Sequence, residues 1–206
     1  THQLRLHYAP DNASLIIRLV LIEMELPFET VLVDRTQQEQ NSAAYRALNP
    51  NGLIPVLETP DGPIFETAAI LLWLADTHDQ LAPGPDTSAR GAFLKWLIFA
   101  SNTLHADLRI LFYAENYIEA AQAETLRAGI RPRLRQHLQL LDQVAQSAPD
   151  WFKAQTPSVL SYYVACTIRW MALYPANSDR SWFVLSDTPH LQQLALELET
   201  RAATRA

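Results

Sequence analysis

Asn49-Pro50-Asn51-Gly52-Leu53-Ile54-Pro55-Val56-Leu57, continued by Glu66-Thr67-Ala68-Ala69-Ile70-Leu71, is the stretch from which the rest of the chain is read. Pro50 and Gly52 make a turn. Pro55 stands inside a short apolar run and cannot donate to a sheet ladder. It therefore belongs at a strand start, a position that also suits a cis peptide bond. A strand opening on a proline bend exposes the backbone of the residue before it. Ile54 is thus expected to offer its N–H and C=O to an extended ligand, as an added strand would. After a turn at Asp61-Gly62, Glu66-Thr67 opens a long apolar helical run. Free N–H groups and the helix dipole make such a start a carboxylate site, so a peptide-like anion fits between the two elements. The bland alternative is a plain hairpin followed by a helix, and either half alone would say little.

The whole chain bounds this reading. Its 206 residues form one large domain or two small ones. With 49% apolar and 18% charged residues the composition is globular. The net charge of −6 argues against a nucleic-acid or anionic-membrane partner. The single cysteine, Cys166, leaves no disulfide framework and no Cys-based metal site, which fits a reducing compartment. No apolar run approaches the ~20 residues of a membrane span. Thr1-His2-Gln3-Leu4 is neither basic nor followed by a signal-like core, and without an initiator Met the chain is expected to have lost its first residues.

Leu4, Leu6 and Tyr8 alternate with Arg5 and His7 as a half-buried strand, followed by a turn at Pro10-Asp11-Asn12. A helix is predicted over 14–25, a strand over 29–33, a short helix ending at Leu48, then the hairpin and a helix from Thr67 to about Thr77. That order resembles an α/β thioredoxin-like domain. Pro83, Gly84, Pro85 and Asp86 mark a linker, and Ser88 is placed to cap the next helix. Beyond it everything reads as helix: one long helix through Phe93, Leu97, Ala100, Leu104, Leu108 and Leu111; one over 123–146 that Gly129 and Pro132 should bend or restart; a buried one over 158–174; and a last one from Pro189 to about Thr204. The division expected is 1–79, a linker over 80–87, and an all-α C-terminal domain over 88–206.

Both the architecture and the opening stretch resemble the glutathione S-transferase family. In that family the residue before a cis-proline pairs with the cysteinyl backbone of glutathione, and a Glu/Gln-Ser/Thr pair at the next helix start takes the γ-glutamyl carboxylate. The resemblance makes Leu53, Ile54, Pro55, Glu66 and Thr67 the glutathione-binding residues. It implies a cytoplasmic homodimer, assembled through the Thr67 and Ser88 helices. Glutathione would be co-substrate, with no permanently bound cofactor, metal, nucleic acid or membrane. The helix through His105 is similar to that of bacterial beta-type members, so His105, Arg109 and Phe112 become walls of an electrophile pocket, although a solvated or satisfied helix histidine is as good a reading of His105. Arg35 or Gln38 is placed to reach the glycyl carboxylate. Two departures stand out. Ala13 occupies the position of the beta-type catalytic cysteine, which removes the nucleophile for a mixed-disulfide mechanism. Ser161 replaces the Asp of a Ser/Thr-x-x-Asp capping box begun by Ser158, so the reciprocal bond is expected to be weaker.

The chemistry implied is thiolate attack on a small apolar electrophile. Each tenfold gain in thiolate needs about 1.4 kcal/mol of preference for the charged form, which one hydrogen bond to a charged group supplies. Ser14, Asn12 and Tyr8 are the catalytic candidates, in that order; their bland roles are helix capping for the first two and strand core for Tyr8. A non-catalytic ligand-binding or stress-response module of the same fold, and a glutathione peroxidase or isomerase, are the competing readings. Cys166, midway along an apolar helix, reads as a core packer.

Overall fold

The computed structural model describes residues 4–206; the expectation about the extreme N-terminus lies outside them. Four strands, β1 (Leu4–Tyr8), β2 (Phe28–Leu32), β3 (Val56–Thr59) and β4 (Gly62–Phe65), form one sheet in the order β2-β1-β3-β4. β1 and β2 are parallel, and the other two pairs are antiparallel. Helices α1 (Ser14–Glu23), α2 (Ala43–Leu48) and α3 (Thr67–His78) complete this thioredoxin-like region. The β1 alternation is imperfect: Leu4 and Leu6 are buried as expected, but His7 is buried too. Its Nε2 lies 2.7 Å from the Glu58 carboxylate on β3, which satisfies the ring.

The remainder is helical: α4 (Arg90–Phe99), α5 (Ala106–Phe112), α6 (Ala123–Ser147), α7 (Val159–Leu173), α8 (Pro189–Leu198) and α9 (Ala202–Arg205). Four local expectations are corrected. Ser88 does not cap α4, whose start has no side-chain cap bond. The long helix is divided by a π turn, Ala100–His105, between α4 and α5. α6 runs unbroken through Pro132. The last helix stops at Leu198 and restarts at Ala202. At the start of α7 both capping bonds form: the Leu160 N–H donates to Ser158 Oγ at 3.2 Å, and the Ser158 N–H donates to Ser161 Oγ at 3.1 Å.

One hydrophobic core spans both regions. Leu6, Ile17, Ile70 and Leu74 belong to the same cluster as Phe93, Leu97, Tyr162 and Leu194. A polar knot fastens α1 to the C-terminal helices. The Tyr162 hydroxyl donates to Glu23 at 2.6 Å, Arg201 Nε donates to the other carboxylate oxygen at 3.1 Å and Arg201 Nη2 to that same oxygen, and Arg201 Nη1 donates to the Ala154 carbonyl at 3.0 Å. Burial alone would push the Glu23 carboxyl up, but the Arg201 and Tyr162 hydrogen bonds and the Arg201 charge hold it below its ordinary value.

Candidate functional site

A cavity of about 490 Å³ opens between the sheet region and the helices, and the quoted stretch forms one wall of it. Gly52 makes the approach possible. Its φ is +64°, and a Cβ there would stand 2.9 Å from the Gln40 carbonyl oxygen. The next carbonyl, that of Leu53, accepts from the Tyr45 hydroxyl and from Asn49 Nδ2, both at 2.8 Å. Both donors are buried. Ile54, next to this fixed carbonyl, lines the cavity. The Ile54–Pro55 bond is cis, and β3 begins immediately after it at Val56. Among the described residues, neither the N–H nor the C=O of Ile54 has a hydrogen-bond partner.

Facing this platform is the start of α3. Glu66 holds φ +72°, uncommon outside glycine, and no side chain caps the helix. The first N–H groups of α3 therefore remain open beside Thr67, a site for an anion. Leu53, Ile54, Pro55, Glu66 and Thr67 all line the cavity. So does Arg35, whereas Gln38 lies off the wall and spends its amide on the Arg35 carbonyl and Asn41.

At the start of α1 the geometry reorders the candidates. Ser14 is 2% exposed and does not line the cavity. Its Oγ lies 3.1 Å from the Ala9 carbonyl and 2.5 Å from Asn12 Oδ1, and it accepts from the Ala9 N–H at 3.3 Å. The hydroxyl is consumed inside the turn. Tyr8 is also off the wall, half-buried against the core at the end of β1. Asn12 does line the cavity. Its Oδ1 accepts from the Ser14 N–H at 2.9 Å, which leaves the Nδ2 donors without a partner among the described residues. The Ala13 N–H beside it is likewise unpaired.

His105, Arg109 and Phe112 form part of the opposite wall. His105 ends the π turn, a feature that often marks functional segments. Its Nδ1 lies 2.7 Å from the Tyr163 hydroxyl, and its ring packs on Trp170 with centroids 5.2 Å apart. Burial, with the Arg109 charge adding to it, pushes the imidazole down to about 4, so the ring is neutral at pH 7. Among the described residues, no group of His, Cys, Asp and Glu is placed to hold a metal ion.

Comparison with known proteins gives this cavity its context. Residues 13–77 match the family model described as the N-terminal domain of glutathione S-transferase. Glutathione S-transferase GST-4.5 of Xanthomonas campestris pv. campestris is 29% identical over 206 residues, covering 98% of each chain. The GstA glutathione S-transferase of Escherichia coli O157:H7 is 27% identical, over 85% of this chain and 86% of its own. A sphingomonad glutathione S-transferase, solved in complex with glutathione, matches with a TM-score of 0.79 at 26% identity, covering 98% of this chain and 95% of that one. The chain is similar to glutathione S-transferases along nearly its whole length.

Several residues in and behind the cavity wall carry no sequence signal of their own. Tyr45 lies behind the wall and holds the Leu53 carbonyl, while Asn49 holds the same carbonyl and also accepts from the Asn51 N–H at 3.0 Å. Tyr163, Trp170 and Tyr174 enter from α7 and the residue after it, far from the quoted stretch. Cys166 stays outside the cavity, 3% exposed, and burial pushes its thiol up to about 12. The folded protein is therefore expected to resist alkylation by a thiol reagent at pH 7, and Cys166→Ser to retain wild-type turnover. Rapid labelling of the native enzyme would contradict the buried-packer reading. No helix among the described residues is long and apolar enough to cross a membrane.

Proposed function

We propose that this protein is a glutathione-dependent transferase that binds glutathione across Ile54 and the start of α3 and activates its thiol at the start of α1. One observation carries the reading: three sets of unspent polar groups line a single cavity. They are the Ile54 backbone pair, the open N-terminus of α3, and the Asn12 amide with the Ala13 N–H. They suit, in turn, the cysteinyl backbone, the γ-glutamyl carboxylate and the sulfur of glutathione. Glu66 supplies a negative partner for the ammonium beside that carboxylate, and Arg35 a positive one for the glycyl carboxylate. The charge-assisted bonds to sulfur favour the thiolate, which then attacks an electrophile lodged against Phe112 and Tyr174. Two copies would associate through α3 and α4, with 1–79 as the glutathione-binding domain and 88–206 as the helical one. A free buried thiol and a glutathione-dependent reaction fit the cytoplasm.

Calorimetric titration with glutathione, followed by ultraviolet difference absorbance of the thiolate, tests this. Binding with a thiolate signal near neutral pH is expected. Binding without it would favour a ligand carrier, and no binding at millimolar glutathione would overturn the reading. Thr67→Ala removes a hydroxyl at the carboxylate end and leaves the sulfur end intact. It is expected to weaken glutathione binding by roughly tenfold and to leave kcat at saturation within about twofold to threefold of wild type. A large loss of kcat with unchanged affinity would mean the molecule lies in another orientation.

A further inference from the structure

Glutathione bound in this way leaves one charged group of the cavity unused. The start of α3, Glu66 and Arg35 are matched to its three ionic ends, and Arg109 remains. It lies one helical turn beyond His105 on the same face and lines the same wall. Among the described residues, its guanidinium makes no hydrogen bond and no ion pair. This is unusual for the helical region. Arg90, Arg127, Arg131, Arg133, Arg169 and Arg201 are all paired with carboxylates, and Arg135 and Arg180 donate to backbone carbonyls. Among the described residues of this region, only Arg205, on the terminal helix, is similarly free.

The acids near Arg109 are already engaged. Asp11 faces the cavity but is held by Arg169 at 2.8 Å. Glu115 is held by Arg127 at 2.7 Å. Asp107, buried on another side of α5, takes Arg133 and His137. His105 is neutral at pH 7 and adds no charge. This wall of the cavity therefore carries one uncompensated positive charge beside an aromatic surface, in which Phe112 and Tyr174 pack with centroids 5.7 Å apart.

Resting on the functional reading above, we infer that the second substrate is an anion: a planar apolar body that lies against Phe112 and Tyr174 and bears a carboxylate or similar acidic group paired with Arg109. This narrows the small apolar electrophile expected from the sequence. A planar guanidinium suits a carboxylate geometrically as well as in charge.

A matched pair of aryl chlorides tests the inference: a chloronitrobenzoate with chlorine para and nitro meta to the carboxylate, and its methyl ester. In both, the glutathione thiolate attacks the carbon bearing chlorine, a C–S bond forms, the C–Cl bond breaks, and chloride leaves with the electron pair. The thiol proton has already gone to solvent. With each rate normalised to its uncatalysed reaction, the wild-type enzyme is expected to favour the acid. Arg109→Gln should lower kcat/KM for the acid at least about tenfold, chiefly through KM, and leave the ester and glutathione affinity within about threefold. Arg109→Lys should recover part of the loss. Equal losses on acid and ester would overturn the inference and assign Arg109 to the sulfur or to the developing charge on the ring. No loss on either would make it a solvated group. If glutathione binds but neither chloride turns over, calorimetry with the two S-aryl conjugates decides. Tighter binding of the acid conjugate that Arg109→Gln abolishes supports the inference, and equal binding overturns it. Failure to bind glutathione at all would sink the functional reading first.

Discussion

Asn12→Asp is expected to lower kcat/KM about a hundredfold while leaving the protein folded. The substitution keeps the shape of the side chain and the oxygen that accepts the Ser14 N–H, so the turn at the start of α1 is preserved. It deletes the Nδ2 donors facing the cavity and puts a negative charge where the sulfur would sit. The lost charge-assisted bond is worth about 1.5–3 kcal/mol, and repulsion acts in the same direction. Together they raise the thiol pKa, so less thiolate is present at neutral pH. The rising limb of the pH–rate profile should therefore move to higher pH by one to two units, since each unit corresponds to about 1.4 kcal/mol. Ser14→Ala is the control. It removes a hydroxyl consumed between Ala9 and Asn12, and should cost about 1 kcal/mol of stability without moving the profile. A shifted profile in Ser14→Ala and an unshifted one in Asn12→Asp would reverse the assignment.

The second large effect concerns stability. Glu23→Gln keeps the volume of the side chain and removes its charge. Arg201 and the Tyr162 hydroxyl are then left beside a neutral amide in a partly buried setting. A loss of about 2–3 kcal/mol is expected, or roughly 5–10 °C in Tm for a chain of this size. The pH dependence has a definite sign. Because the folded carboxyl sits below its ordinary value, its contribution is fully present above the unfolded pKa of about 4.3 and is lost as pH falls through the folded value. The gap between wild type and Glu23→Gln should therefore be widest at neutral pH and narrow below about pH 4. Equal denaturation midpoints at neutral pH would remove this knot from any account of how α1 is held to the C-terminal helices.

Much of this fold was legible because its signals are local. The β1 alternation, the Asp61-Gly62 hairpin and the Pro-rich segment before α4 are each written in a few consecutive residues. The platform at Ile54 and the start of α3 were legible for the same reason, since both depend on backbone groups that a proline, a glycine or a helix start exposes. The start of α1 was harder. Asn12 and Ser14 are both good capping residues, and which of them faces outward depends on a hydroxyl folding back to Ala9, which no spacing reveals. The clamps on Leu53 were also hidden, because Tyr45 reads as a core residue of a short helix. The lack of a partner for Arg109 is a property of everything around it, and emerges only once Asp11, Glu115 and Asp107 are seen to be taken.

Ala100–His105 holds more residues than a regular turn of α-helix would need. Deleting that excess would let α4 and α5 fuse into one continuous helix with the side chains beyond still in phase, whereas a deletion within α4 itself would swing every side chain beyond it by about 100°. Arg109 and Phe112 would leave the cavity, and Leu108 and Leu111 would leave the core. The irregular segment from Tyr113 to Gln122 carries no such phase relation, and could gain or lose a residue at far smaller cost. Variation in chain length is thus open to this protein at the wide turn before α5 and in the irregular segment after it, and closed within α4.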